Sequence, residues 1–117
     1  MSLVWEAVVI DAEDPASLGR WWAAALRWEV AADESFGVEI RPRREAGSRP
    51  ALVFVPGSAK AGKNRLHLDF HASDQQAEVG RLLELGAQRA DIGQGQVPWV
   101  VMRDPEGNEF CVLEPRG

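Results

Sequence analysis

The sequence predicts an α+β fold made of two βαβββ modules, and three observations carry that expectation. The same order of elements runs twice, with Asp14 matching Asp74 and Ala7 matching His67 at an offset of 60 residues. Two segments of helical apolar period each follow a short apolar stretch of strand type. The chain then closes on two apolar runs, Val97-Pro98-Trp99-Val100-Val101-Met102 and Phe110-Cys111-Val112-Leu113, separated by Asp104-Pro105-Glu106-Gly107-Asn108. Asp-Pro followed by Gly-Asn is turn chemistry, because Pro presets φ, Gly accepts positive φ, and Asp and Asn bond nearby backbone. The two runs therefore read as a hairpin.

The first module spans about residues 1–57. Leu3 to Ile10 is a strand buried on at least one face. Asp14-Pro15 is a helix start, with Asp as cap and Pro at the first helical position. Leu18, Trp21, Trp22, Ala25 and Leu26 then form an apolar stripe of helical period. Trp28 to Ala31, Gly37 to Arg41 and Ala51 to Val55 read as three strands, the last ended by Pro56-Gly57. The polar stretch from Arg41 to Pro50 is a surface loop.

A Lys- and Gly-bearing linker leads to the second module, about residues 64–117. Arg65 to Phe70 alternates polar and apolar residues as a half-buried strand does. Ser73 to Gln76 has the form of a capping box for a second helix, with Val79, Leu82 and Leu83 inward and Gly86 as its C-terminal cap. Gln88 to Asp91 is a further strand before the hairpin.

Composition bounds the function. The 117 residues make a single domain, long enough for a core without disulfides or a structural metal. A formal net charge of -5 argues against nucleic-acid binding. No apolar run approaches the ~20 residues that span a bilayer, and no signal peptide is visible. The single cysteine excludes an internal disulfide and leads us to expect a cytoplasmic protein. Five Trp and no Tyr is an unusual balance, and Trp serves both cores and binding clefts.

Three segments together, Asp11-Ala12-Glu13-Asp14-Pro15 before the Trp-rich helix, Lys63 to Phe70, and Asp104 to Glu114, resemble the glyoxalase/bleomycin-resistance/dioxygenase (vicinal oxygen chelate) superfamily, in its glyoxalase-like single-domain branch. The resemblance covers nearly the whole chain. It implies that the two modules form a U-shaped half-barrel with helices on the convex face and the ligand site on the concave one. It also implies a homodimer, the commonest symmetric oligomer. Metal-dependent members draw His, Glu or Gln ligands from four strands. The corresponding positions here are Ala7, a residue near Phe54, His67 and Cys111, of which only the last two can donate to a metal. Two ligands fall short of the three that a catalytic site usually needs. No metal cofactor is therefore expected, unless a register slip recruits Glu6.

On that reading strand alternation points Trp5, Val9 and Asp11 into the cavity from the first module. His67 and Asp69, then Glu109, Cys111 and Leu113, point inward from the second, while Leu66, Leu68 and Phe70 face the helices. The expected ligand-binding set is Trp5, His67, Asp69, Trp99, Glu109 and Cys111: Trp faces for an aromatic or cationic small molecule, and Asp69 and Glu109 as an acidic wall. His67 is a candidate general base oriented by Asp69, or else a hydrogen-bonded cavity histidine. His71 reads as a solvated turn residue. Cys111 is a nucleophile only if its thiol is activated, and otherwise a small buried hydrophobe. Two functions are weighed: a metal-free small-molecule binder, and a lyase, isomerase or dioxygenase that is either metal-dependent or uses His67 and Asp69.

Overall fold

The computed structural model describes residues 3, 5–43 and 50–116, so most of the expected loop before Pro50 lies outside the described residues. The fold is α+β. Two compact units, divided between Ala59 and Lys60, each contain one helix and one four-stranded mixed sheet. Among the described residues no helix is long and apolar enough to cross a membrane.

The first unit runs β1 (Ala7–Ala12), α1 (Pro15–Leu26), β2 (Glu29–Glu34), β3 (Gly37–Arg41) and β4 (Ala51–Pro56). Its strands lie in the order β1-β4-β3-β2, with β1 parallel to β4 and the other pairs antiparallel. Helix α1 forms because its apolar residues recur on one face and because Asp14 Oδ1 accepts the Ser17 N–H at 3.1 Å, satisfying an orphan donor of the first turn. That face buries Leu18 and Trp22 against Val38, Ile40, Leu52 and Phe54. The approach is close: a Cβ at Gly19 would lie 2.7 Å from Val38 Cγ1. The helix ends in a Schellman motif, Trp28 N–H donating to Ala23 O at 2.9 Å, with Arg27 in the left-handed region at φ 57°.

The second unit repeats the topology: β5 (Leu68–His71), α2 (Gln75–Glu84), β6 (Gln88–Arg89), β7 (Val100–Arg103) and β8 (Glu109–Leu113), in the order β5-β8-β7-β6. Here β5 is parallel to β8, as β1 is to β4. Asp74 caps α2 through Oδ1 and the Ala77 N–H, again at 3.1 Å, so the two caps stand at the offset the sequence suggests. The cap is thus Asp74 rather than the expected Ser73. The carboxylate satisfies the first-turn donor, and Gln75, now the first helical residue, donates from Nε2 to the carbonyls of Pro98 and Val112. Gly86 (φ 109°) closes α2 with the expected Schellman pair, Gly86 N–H to Leu83 O and Ala87 N–H to Leu82 O.

Several strand boundaries differ from expectation: β1 runs Ala7–Ala12 instead of beginning at Leu3, β2 continues to Glu34, β7 starts at Val100, and β5 and β6 are shorter than the sequence suggests. Strand β5 starts at Leu68, not Arg65, and Leu66 is 84% exposed instead of facing a helix. The register explains this: Leu68 pairs with Phe110, and two residues earlier the partner would be Asn108, which is folded into the turn. Strand β6 is only two residues long, since Ala90 donates to Val101 O and the chain then enters a polar turn around Asp91. The closing hairpin is as the turn chemistry implied. Asp104, 5% exposed, accepts from the N–H groups of Glu106 and Asn108 and from Asn108 Nδ2, and Gly107 takes φ 89°.

Candidate functional site

Strand alternation divides β8 between two environments. Phe110 and Val112 pack on the helix side, where Phe110 meets Phe70 edge to face at 6.2 Å. Glu109, Cys111 and Leu113 face the other way, and Asp69 on β5 is the register neighbour of Cys111. From β7, Val101 is paired with Cys111, and Trp99 lies two residues before it on the same face. These side chains surround a cavity of about 370 Å³ on the second unit, completed by Lys63, His67, Ile92, Gln94 and Arg116. Its wall is mainly apolar, with Trp99 39% exposed to it and to solvent.

Five of the six sequence-predicted ligand residues therefore meet: His67, Asp69, Trp99, Glu109 and Cys111. Trp5 belongs to the first unit, where it precedes β1 and is 71% exposed. Val9 and Asp11 share its exposed face, and Ala12 is buried. His71, at the end of β5, is exposed as expected.

The electrostatics differ from the expected acidic wall. Glu109 is buried, yet its Oε2 lies 3.2 Å from Lys60 Nζ and 3.6 Å from Arg103 Nε, and its Oε1 accepts the Asn64 N–H at 3.3 Å. Burial alone would raise its pKa; the Asn64 N–H, Lys60 and Arg103 outweigh burial and hold the carboxyl below its ordinary value. Its charge is spent within the wall. Asp69 is the other cavity carboxylate, half-exposed, with His67 Nε2 at 3.0 Å from Oδ1. Lys63 and Arg116 bring positive charge to the same cavity. The balance is mixed rather than acidic.

Cys111 is buried, and its thiol is pushed up to about 11 by burial first, then by the Asp69 carboxylate and a hydrogen bond to it. At neutral pH it is a thiol donating to Asp69, which removes the nucleophile reading.

The inherited ligand positions resolve as follows. Ala7 heads β1, and the β1–β4 register runs unbroken from Ala7↔Ala51 to Ala12↔Pro56. No slip recruits Glu6, whose carboxylate instead meets Arg41 Nη2 at 3.3 Å. Phe54 is fully buried on the α1 side, and its neighbours Val53 and Val55 offer no donor. What the sequence reading missed is a third donor. His67, Asp69 and Cys111 bring one ligand atom each within 4.8 Å of one another. The period-2 spacing of His67 and Asp69 was the signal available for it. The parts played by Lys60, Ile92 and Gln94 left no comparable trace, since they come from irregular segments.

The glyoxalase-like domain profile matches residues 7–113. No curated protein matches the chain in sequence. Among solved structures it is similar to TnmS3, an antibiotic binding protein from Streptomyces sp. CB03234, at 21% identity and TM-score 0.67, covering 99% of both chains. A glyoxalase/bleomycin resistance protein/dioxygenase family enzyme from Burkholderia phytofirmans PsJN gives TM-score 0.73 at 14% identity, covering 93% of this chain and 96% of that one. The oxidase ChaP-H2 gives 0.68 at 18% identity, covering 99% and 96%. At such identities these likenesses speak to the fold alone. With nearly its whole length matched by the family profile and both modules built on the family's βαβββ topology, the chain belongs to the glyoxalase-like domain family.

Proposed function

We propose that this protein binds a small aromatic molecule in the cavity of its second unit. One observation carries the reading: a cavity of about 370 Å³ whose wall surface is mostly apolar and includes Trp99, Val101 and Leu113, beside the polar side chains of Lys63, His67, Asp69, Gln94, Glu109 and Arg116. That is the make-up of a small-molecule site, in which apolar area supplies affinity and a few polar atoms fix orientation. The description of TnmS3 as an antibiotic binding protein is consistent with it. With Glu109 neutralised by Lys60 and Arg103, the case for a cationic ligand rests on Asp69 alone, so the aromatic part of the ligand is the firmer element. A thermal-shift and calorimetry screen of bicyclic and tricyclic aromatics tests this. Trp99→Ala is expected to weaken the best binder by about 10–30-fold, or roughly 1.4–2 kcal/mol. Trp5→Ala is the companion variant, and a comparable loss there would extend the ligand's contacts to the first unit. Unchanged affinity in Trp99→Ala would remove the reading.

A second reading, a lyase, isomerase or dioxygenase, is favoured by the His67–Asp69 contact at 3.0 Å. With Nε2 placed against Asp69, Nδ1 is the nitrogen left to act as a base. Turnover lost in both His67→Ala and Asp69→Asn, with aromatic binding retained, would bring this reading forward.

A further inference from the structure

We propose that the cavity of the second unit selects an aromatic acid, whose anionic group is held by Lys63 and Arg116; this rests on the aromatic-binding reading above and names its ligand class. Besides His67, the charged side chains that line the cavity are Lys63, Arg116, Asp69 and Glu109. Glu109 is matched from outside it, because Lys60 and Arg103 reach its Oε2 at 3.2 and 3.6 Å and neither of them is a lining residue. Asp69 is engaged twice, with His67 Nε2 at 3.0 Å from Oδ1 and the Cys111 thiol donating to it. Among the described residues, neither Lys63 nor Arg116 has an ion-pair partner. In a chain of formal net charge -5, the cavity thus faces its ligand with two unmatched cations and a carboxylate already in use.

The placement suits an acid carried on a ring. Trp99, Val101 and Leu113 supply an apolar wall for a flat ring to cover. Lys63 comes from the linker before β5 and Arg116 follows β8, so both cations reach the cavity from segments outside the sheet. The field of Lys63 extends to β8: burial and Asp69 push the Cys111 thiol up, and Lys63 pulls it the other way. Arg116 also borders a second cavity of about 240 Å³ beside Trp99, where Glu114 is the acidic neighbour but forms no ion pair with it. A guanidinium takes a carboxylate through two parallel N–H donors, and an ammonium adds a point charge. Against a mainly apolar wall such a contact is screened less than on open surface. A cationic ring would instead meet two like charges and find Asp69 already bonded.

The test is calorimetric titration of the full chain with three probes that share one ring system: naphthoate, naphthamide and naphthylmethylammonium. At low ionic strength naphthoate is expected to bind about 5–30-fold more tightly than naphthamide, and the cation more weakly than either. Raising the salt to ~0.5 M should narrow the gap between acid and amide, as screening of a charge contact requires. In the Lys63→Met/Arg116→Met double variant the advantage of the acid should disappear, whereas Trp99→Ala should weaken acid and amide together and keep their ratio. Naphthamide bound as tightly as naphthoate by the wild-type chain overturns the proposal and leaves aromatic binding standing, and this comparison decides even if a variant fails to fold. No binding of any of the three probes overturns both readings. An acid-to-amide ratio unchanged in a folded double variant overturns the proposal as well.

Discussion

At the scale of single residues, the cavity wall is governed by one buried carboxylate. Glu109 is 6% exposed, and such a group is tolerated only where its charge is matched and its oxygens are bonded. Lys60 and the Asn64 N–H do this from the linker before β5, and Arg103 from the end of β7. The consequence is structural as well as electrostatic, because Lys60 ties the start of the second unit to the last strand. Lys60→Met keeps the apolar stem and removes the ammonium. It is expected to cost about 1–3 kcal/mol in urea unfolding, the penalty of a partly unsatisfied buried group. A cost within experimental error would mean that Arg103, at 3.6 Å, suffices by itself.

At the scale of elements, helix placement depends on a glycine and a cap. Gly19 sits where α1 crosses the sheet, and the branched Val38 side chain beneath it has little rotamer freedom. Helix propensity favours Ala over Gly by about 1 kcal/mol, but an added methyl at 2.7 Å from Val38 Cγ1 forces the helix away. Gly19→Ala is therefore expected to destabilise, by about 1–3 kcal/mol. Arg27 is the opposite case. It occupies the left-handed position that Gly86 fills in the second unit. Arg27→Gly is expected to raise the thermal midpoint, since a non-glycine residue there costs roughly 1–2 kcal/mol and glycine's added chain entropy offsets only part of that. Scanning calorimetry of the two variants checks both signs. A stabilised Gly19→Ala protein would show that α1 is free to shift.

At the scale of the whole molecule, the sequence carried the fold further than the site. Asp14 and Asp74, the Asp104-to-Asn108 turn and the alternation in Glu109–Leu113 are local chemistry, and each specifies its own element. The site depends on what meets across strands. That His67 and Asp69 share a face was readable from period 2, whereas the pairing of Asp69 with Cys111 needed the β5–β8 register. The neutralisation of Glu109 needed a lysine from an irregular linker, which no pattern marks. Assembly is a further expectation: sedimentation at tens of micromolar should give a species of twice the chain mass, the symmetric dimer that the family resemblance implies. A single 12.9 kDa species would refute it.

The central claim is that the cavity on the second unit is where a small aromatic molecule binds. Amide and methyl chemical-shift mapping of the full chain, titrated with the best binder from the aromatic screen, tests it most directly. The account predicts saturating shifts at Asp69, Trp99, Val101, Cys111 and Leu113. Shifts that saturate elsewhere and leave these five residues unmoved would contradict it.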